Sequence, residues 1–291
     1  MLSAMKQTRA DFRFLDRLRV RWAEVDMQRI VFNAHYLMYF DSAFAGYWRA
    51  LALPYHESMQ ALQGDIFLRK ATVEYFGSAR YDDLCEVGMR CGRIGNSSIV
   101  FDAALFRGET LLVGAELVYV FADPATQTSR PVPAALRELL LGFEAGQPVL
   151  EVRVGDWARL GRDAQAIRTA VFVDEQKIPA ALDQDAADAD ALHAVACNRF
   201  GVALATGRLL APAAGVAKIG RMAVAASMRG SGIGRAVLDG LMAAARERGD
   251  REVVLNAQTS AAGFYRRAGF VERGPVFDEA GVAHVEMARA L

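Results

Sequence analysis

The chain has 291 residues, 53% hydrophobic and 23% charged, and its 34 basic and 34 acidic residues give a formal net charge of zero. This composition excludes a disordered tail and a fibrous repeat. The balanced charge removes the simplest electrostatic case for a nucleic-acid or membrane-surface partner, while leaving room for a local basic pocket.

At roughly 150 residues per domain the length predicts two domains. Residues 1–14 are polar, with Lys6, Arg9, Asp11 and Arg13, and lack the apolar core of a signal peptide. No stretch approaches about 18 uncharged apolar residues, so a cytoplasmic protein without membrane contact is expected. Cys85, Cys91 and Cys197 form no CxxC pair and the four histidines are scattered, so neither a disulfide framework nor a metal site is expected.

Residues 17–24 alternate as a strand does. Residues 33–51 place Tyr36, Phe40, Phe44, Tyr47 and Leu51 on one face of a long helix, which Pro54 ends. Strands follow at 65–76, 86–91, 98–106 and 110–121, with Arg107-Gly108 as a turn, and then a helix at 131–143. A strand, a long helix and an antiparallel meander make an α+β domain. Glu144-Ala145-Gly146-Gln147-Pro148 reads as a linker, dividing the chain into domains 1–145 and 146–291. The pattern then restarts as mixed α/β: strand 150–154, helix 157–173, strands 192–197, 201–209 and 217–224, helix 232–246, strand 252–256, short helix 260–268 and strand 281–287. The Ala-Asp-rich segment 180–191 reads as a solvated loop, one whose Asp183, Asp185, Asp188 and Asp190 also suit attraction of a cationic amine.

Residues 20–37, VRWAEVDMQRIVFNAHYL, are the densest motif of the first half. An aspartate just before a buried helix can attack a carbonyl or orient a water, and the helix-start amides can stabilise the oxyanion. The same Asp26 also suits a capping role. The pattern Arg21-x-x-Glu24-x-Asp26-x-x-x-Ile30-Val31-Phe32-Asn33-x-x-Tyr36-Leu37-x-x-Phe40 resembles hotdog-fold acyl-CoA thioesterases of the 4-hydroxybenzoyl-CoA thioesterase type, over residues 16–122. The resemblance implies a long helix wrapped by antiparallel sheet, sites shared between subunits, and Asp26 as nucleophile or general base. It also implies thioester positioning by Asn33, Ala34, His35 and Tyr36, although Tyr36 reads more simply as a core aromatic. Arg29 departs from the glycine or small residue common there, which bears on the loop's conformation and the acyl group accepted.

In the second half, Arg229-Gly230-Ser231-Gly232-Ile233-Gly234 joins a strand to a helix. Glycines let the backbone approach a ligand, and free amides at a helix start bind phosphate oxygens. The same glycines suit a bare tight turn. Val224-x-x-x-x-Arg229-x-x-Gly232-x-Gly234, then Asn256 and Phe264-Tyr265-Arg266-Arg267-x-Gly269-Phe270, resemble the GNAT acetyltransferase superfamily. Upstream, 168–179 and 185–193 resemble one bacterial subgroup of it, so the likeness covers 150–291. It implies that the pantetheine arm of acetyl-CoA pairs with Met222, Ala223 and Val224, and that Arg229, Gly230, Ser231, Gly232, Ile233, Gly234 and Arg235 hold the pyrophosphate. Asn256 belongs to the same site, and Tyr265 stands where a general acid protonates the leaving thiolate. Glu175, Asp183, Asp185 and His193 are the candidate bases, while His193 and His284 read more simply as structural.

The whole therefore reads as a bifunctional acyl-CoA enzyme, a thioesterase fused to an N-acetyltransferase. Its expected partners are acyl-CoA, acetyl-CoA and an amine as substrates, with no permanently bound cofactor and a homodimer or homotetramer formed through the hotdog domain. The rival is that one domain is catalytic and the other a CoA-binding sensor or dimerisation module. A pure scaffold predicts no affinity for CoA.

Overall fold

The computed structural model describes residues 7–183, 185–279 and 281–291. The chain divides into two compact units between Val149 and Leu150.

The first unit contains β1 (Phe14–Arg19), α1 (His35–Ala50), α2 (Tyr55–Ala61), β2 (Asp65–Tyr75), β3 (Leu84–Ile94), β4 (Ser98–Arg107), β5 (Thr110–Ala122) and α3 (Ala134–Glu144). Its strands form one antiparallel sheet in the order β1-β3-β4-β5-β2. Helix α1 is amphipathic: Tyr36, Tyr39, Phe40, Ala43, Phe44, Tyr47 and Trp48 recur every three or four positions and are all buried. That face packs on the sheet, where Phe44 stacks on Tyr119 at 4.5 Å and meets Phe101 edge-on at 5.2 Å. Gly46 permits the close approach, since a Cβ there would lie 2.9 Å from the Phe14 ring.

Three local expectations change. The strand expected at 17–24 ends at Arg19, and Trp22–Glu24 form a 3-10 turn. Pro54 both follows α1 and opens α2, where its carbonyl accepts from the Ser58 amide at 2.9 Å; a proline is tolerated there because a first turn leaves its N–H groups unpaired anyway. Glu144, read as the start of a linker, ends α3, and its carboxylate accepts from the Cys91 amide at 2.9 Å and from the Tyr47 hydroxyl.

The second unit contains β6 (Leu150–Gly155), α4 (Trp157–Arg168), α5 (Ala180–Asp183), β7 (Leu192–Asn198), β8 (Ala203–Ala213), β9 (Val216–Val224), α6 (Ile233–Arg248), β10 (Glu252–Gln258), α7 (Ala262–Arg267), β11 (Val271–Glu279) and β12 (Val282–Ala290). Its sheet runs β11-β12-β10-β9-β8-β7-β6. Among the described residues only β9 and β10 pair in parallel, and α6 supplies the crossover such a pair requires. Their ladder joins Val216–Ile219 to Glu252–Leu255 and stops there, so the strands part beyond Ile219. Helix α4 packs Leu160 and Ala164 on Val195 and Cys197. It then widens into a π-helix over Thr169–Glu175, where the Gln176 amide reaches the Val171 carbonyl at 3.1 Å.

Segment 180–191 departs furthest from expectation. It forms α5 and a 3-10 turn at Ala186–Asp188, and Asp183 and Asp188 are only 3% and 5% exposed. They close around Arg168, itself 1% exposed. Arg168 Nε lies 3.0 and 3.1 Å from the two carboxylate oxygens of Asp183, and its Nη1 lies 2.9 and 3.0 Å from those of Asp188. Arg208 bridges Asp188 and Asp185 at 2.8 and 2.6 Å, and Arg221 adds a 3.0 Å bond to Asp185. Three guanidinium groups thus compensate three carboxylates, the condition under which buried charge is tolerated.

Candidate active sites

In the first unit, the segment before α1 folds back on itself. The Asp26 amide donates to the Ile30 carbonyl at 2.9 Å, the Arg29 amide to the Asp26 carbonyl at 2.9 Å, and the Phe32 amide to the Glu24 carbonyl at 2.9 Å. Arg29 takes φ 62°, the left-handed region that favours glycine. The loop therefore closes despite the departure from a small residue.

The two carboxylates of the motif have different surroundings. Glu24 is 3% exposed and accepts from the Tyr39 hydroxyl at 2.6 Å and from the Arg21 amide and Nε at 2.7 and 2.6 Å. Burial alone would raise its pKa, but these donors outweigh burial and hold it below the usual carboxylate range. Glu24 is a clamp. Asp26 is half-buried, and one carboxylate oxygen accepts from the Gln28 amide at 2.8 Å. Its other oxygen has no partner among the described residues.

Ala34 caps α1 and His35 begins it, with the His35 amide donating to the Phe32 carbonyl at 2.9 Å. The Asn33 carbonyl accepts from the Tyr75 hydroxyl at 3.3 Å. The Tyr36 side chain is withdrawn from any site: it is 2% exposed, and its hydroxyl accepts from the Ala79 amide at 3.0 Å. Only its backbone amide remains for the helix tip, because first-turn amides have no partner within the helix. Around this loop Trp22, Met27, Phe32, Tyr75, Phe76 and Tyr81 are exposed. Sequence reading missed that rim, because each residue is unremarkable until folding gathers them.

In the second unit, the parting of β9 and β10 opens a cleft of about 520 Å³. Arg221 (φ 53°) forms a bulge where two residues of β9 face one of β8. Met222, Asn256 and Tyr265 line the cleft. Ala223 and Val224 stay paired with β8 through Thr206 and Ala205. The Tyr265 ring is 8% exposed, burial pushes its phenol up to about 12, and its hydroxyl has no partner among the described residues. The group is thus an O–H donor at neutral pH.

Next to the cleft the glycine loop turns into α6. Gly230 and Gly232 adopt φ 82° and 86°, and the amides of Ile233, Gly234 and Arg235 lie in the first turn. The Ser231 hydroxyl is drawn back to the Met228 carbonyl at 2.5 Å. Arg229 is engaged: its two Nη atoms meet Glu175 at 2.7 and 2.6 Å.

The four expected bases are all occupied. Glu175 is held by Arg229, and Asp183 and Asp185 line the cleft but are paired with arginines. His193 is 1% exposed, lies 3.0 Å from the Asp188 carbonyl, and is kept neutral because burial lowers its pKa. His284, which reads more simply as structural, is half-buried and is among the residues lining the cleft, as is Tyr265. Its Nδ1 lies 2.8 Å from the Val282 carbonyl and its ring stacks on Phe277. A carbonyl only accepts, so Nδ1 carries a hydrogen and donates it. Asn256 Nδ2 donates to Glu279 at 3.0 Å. Among the described residues, no group of three or more His, Cys, Asp or Glu side chains is arranged to hold a metal.

A thioesterase-superfamily model matches residues 28–114, and a GNAT acetyltransferase-domain model matches residues 162–291. The acyl-CoA thioester hydrolase YbgC of Escherichia coli O6:H1 is 32% identical over 124 residues, 41% of this chain and 89% of its own length. The uncharacterized N-acetyltransferase YjcF of Bacillus subtilis is 33% identical over 127 residues, 43% of this chain and 89% of its own. A crystal structure from Lactobacillus plantarum is 29% identical, with 50% of this chain and 99% of its own covered at a TM-score of 0.47.

Proposed function

The chain belongs to the thioesterase superfamily through its first half and to the GNAT acetyltransferases through its second, and on that premise we propose a bifunctional acyl-CoA enzyme. The first unit hydrolyses an acyl-CoA thioester. Asp26 either takes a proton from the attacking water, or attacks the thioester carbonyl to form an acyl-aspartate anhydride that water then cleaves to the free acid; in both cases the amides that begin α1 stabilise the oxyanion and the CoA thiolate leaves. The free carboxylate oxygen of Asp26, in a loop fixed directly before that helix, carries this reading.

The second unit transfers acetyl from acetyl-CoA to an amine. The pyrophosphate rests on the loop from Arg229 to Arg235, and the pantetheine arm runs along Met222, Ala223 and Val224. The neutral amine attacks the acetyl carbonyl, the C–S bond breaks, and Tyr265 gives its proton to the leaving sulfur. Nε2 of His284 receives the proton lost by the amine. The opened β9–β10 seam with an unpartnered phenol in it supports this reading.

Tyr265→Phe is expected to lower acetyl transfer by about 10²-fold or more, with acyl-CoA hydrolysis unchanged. Mass spectrometry of acetylated amine, run beside thiol release from acyl-CoAs of graded length, separates the two activities. An unaltered yield of acetylated amine removes Tyr265 from the mechanism. The reading in which the second unit only senses CoA draws on the pairing of the cleft's aspartates. Tight acetyl-CoA binding by calorimetry, with no acetylated product from any amine, favours it.

The protein acts as a homodimer or homotetramer through its first unit. Strand β2 pairs with β5 on one side and, among the described residues, with no strand on the other, leaving an edge of 11 residues exposed at Leu68 and Tyr75, with Phe76 just beyond. Such an edge is a template for a second copy. Light scattering at micromolar concentration should give at least twice the chain mass, and a monomer overturns the assignment.

A further inference from the structure

We propose, resting on the acetyl-transfer reading, that the amine acceptor also carries an anionic group, a carboxylate or a phosphate, seated on Lys218 at the end of the cleft that Arg208 borders. Arg208 is 6% exposed and lines the cleft. Its two Nη atoms bond to Asp185 and Asp188, but its Nε is buried with no hydrogen-bond partner among the described residues. The guanidinium is committed to the two aspartates through its Nη atoms, and its side chain borders the cleft.

Lys218 is the observation that carries the proposal. It also lines the cleft and has neither a carboxylate nor a hydrogen-bond acceptor among the described residues. The β8–β9 register sets Gly220 opposite Arg208 and Lys218 opposite Leu210. Cross-strand partners share a face, so the Arg208 and Lys218 side chains rise from the same side of the sheet. The cleft's Asp183 and Asp185 are already matched by Arg168, Arg208 and Arg221, which leaves the Lys218 ammonium as uncommitted charge.

The cleft carries polar groups toward both ends. Lys218 aligns with Val254, and Gln258 aligns with His284. Val254 and Gln258 are four residues apart, about 13 Å of strand. The His284 end also holds Glu279, whose carboxylate accepts from the uncharged amide of Asn256. That end suits the amine, and the Lys218 end suits the anion.

The test uses the full chain, acetyl-CoA and four sets of amines matched in chain length: ω-amino carboxylates, aminoalkyl phosphates, uncharged alkylamines and α,ω-diamines. The anionic sets should exceed the alkylamines in kcat/KM by about tenfold or more, and the better of them identifies the group as carboxylate or phosphate. K218M should shrink that ratio to near unity, and K218E should turn the preference toward diamines. Equal use of anionic and uncharged amines by the unaltered protein, or a preference for diamines, overturns the inference and leaves acetyl transfer standing. Failure of the protein to bind CoA by calorimetry overturns both.

Discussion

Replacing Asp26 with alanine is expected to lower acyl-CoA hydrolysis by about 10²- to 10⁴-fold while acetyl transfer proceeds at the unaltered rate. The motif holds two carboxylates, and the structure separates their tasks. Glu24 is buried under three donors, and its loss would release Arg21 and Tyr39. Asp26 supports the backbone with one oxygen and leaves the other free. Asp26→Asn sharpens the test. The amide oxygen still accepts from Gln28, so the loop is kept, but the nucleophile or base is gone. Thiol release should therefore fall in both variants, with the melting temperature held more closely in Asp26→Asn. Hydrolysis that survives both substitutions removes Asp26 from the chemistry.

What the sequence disclosed depends on whether the information is local. Helix α1 was legible because Tyr36, Phe40, Phe44 and Tyr47 mark one face by spacing alone. The β4–β5 hairpin was legible because Arg107-Gly108 interrupts two apolar runs. Strand β11 was missed as an element: every residue in it is exposed, so no alternation betrays a core face. The acidic segment was misread for a different reason. Asp183 and Asp188 find their partners 15 and 20 residues back, at Arg168, and nothing near them signals burial. One signal was present. Leu160, Ala164, Ile167 and Val171 are the buried stripe that α4 and the π-helix carry, and Arg168 falls on it and is buried too. A charge on the apolar phase of a helix calls for buried counter-charges.

That arginine carries the largest expected effect on stability. Arg168→Met keeps the length and most of the apolar stem but leaves Asp183 without its Nε donor and Asp188 without one of its two guanidinium partners. Removing one member of a buried ionic cluster should destabilise the second unit by about 3–5 kcal/mol, since the abandoned carboxylates keep their desolvation penalty. The sign of the pH dependence follows from the same contacts. The Arg208 hydrogen bond holds Asp185 below the usual carboxylate range against the opposing effect of burial. For Asp188 burial is the strongest influence and pushes upward, yet the hydrogen bonds from Arg168 and Arg208 together outweigh it and hold the group low. Carboxyls depressed in the folded state contribute stability above their ordinary titration near pH 4, and lose it as acid protonates them through their lower folded values. The unaltered second unit should thus hold its stability from neutral pH down to about 5 and then weaken. In Arg168→Met part of that contribution is already gone at neutral pH, so the further loss on acidification should be smaller. Amide hydrogen exchange along α4 and β7, followed from pH 7 to the lowest pH at which the chain stays folded, reads both effects. Equal protection in the two proteins at neutral pH would mean that the cluster is not what holds this unit together.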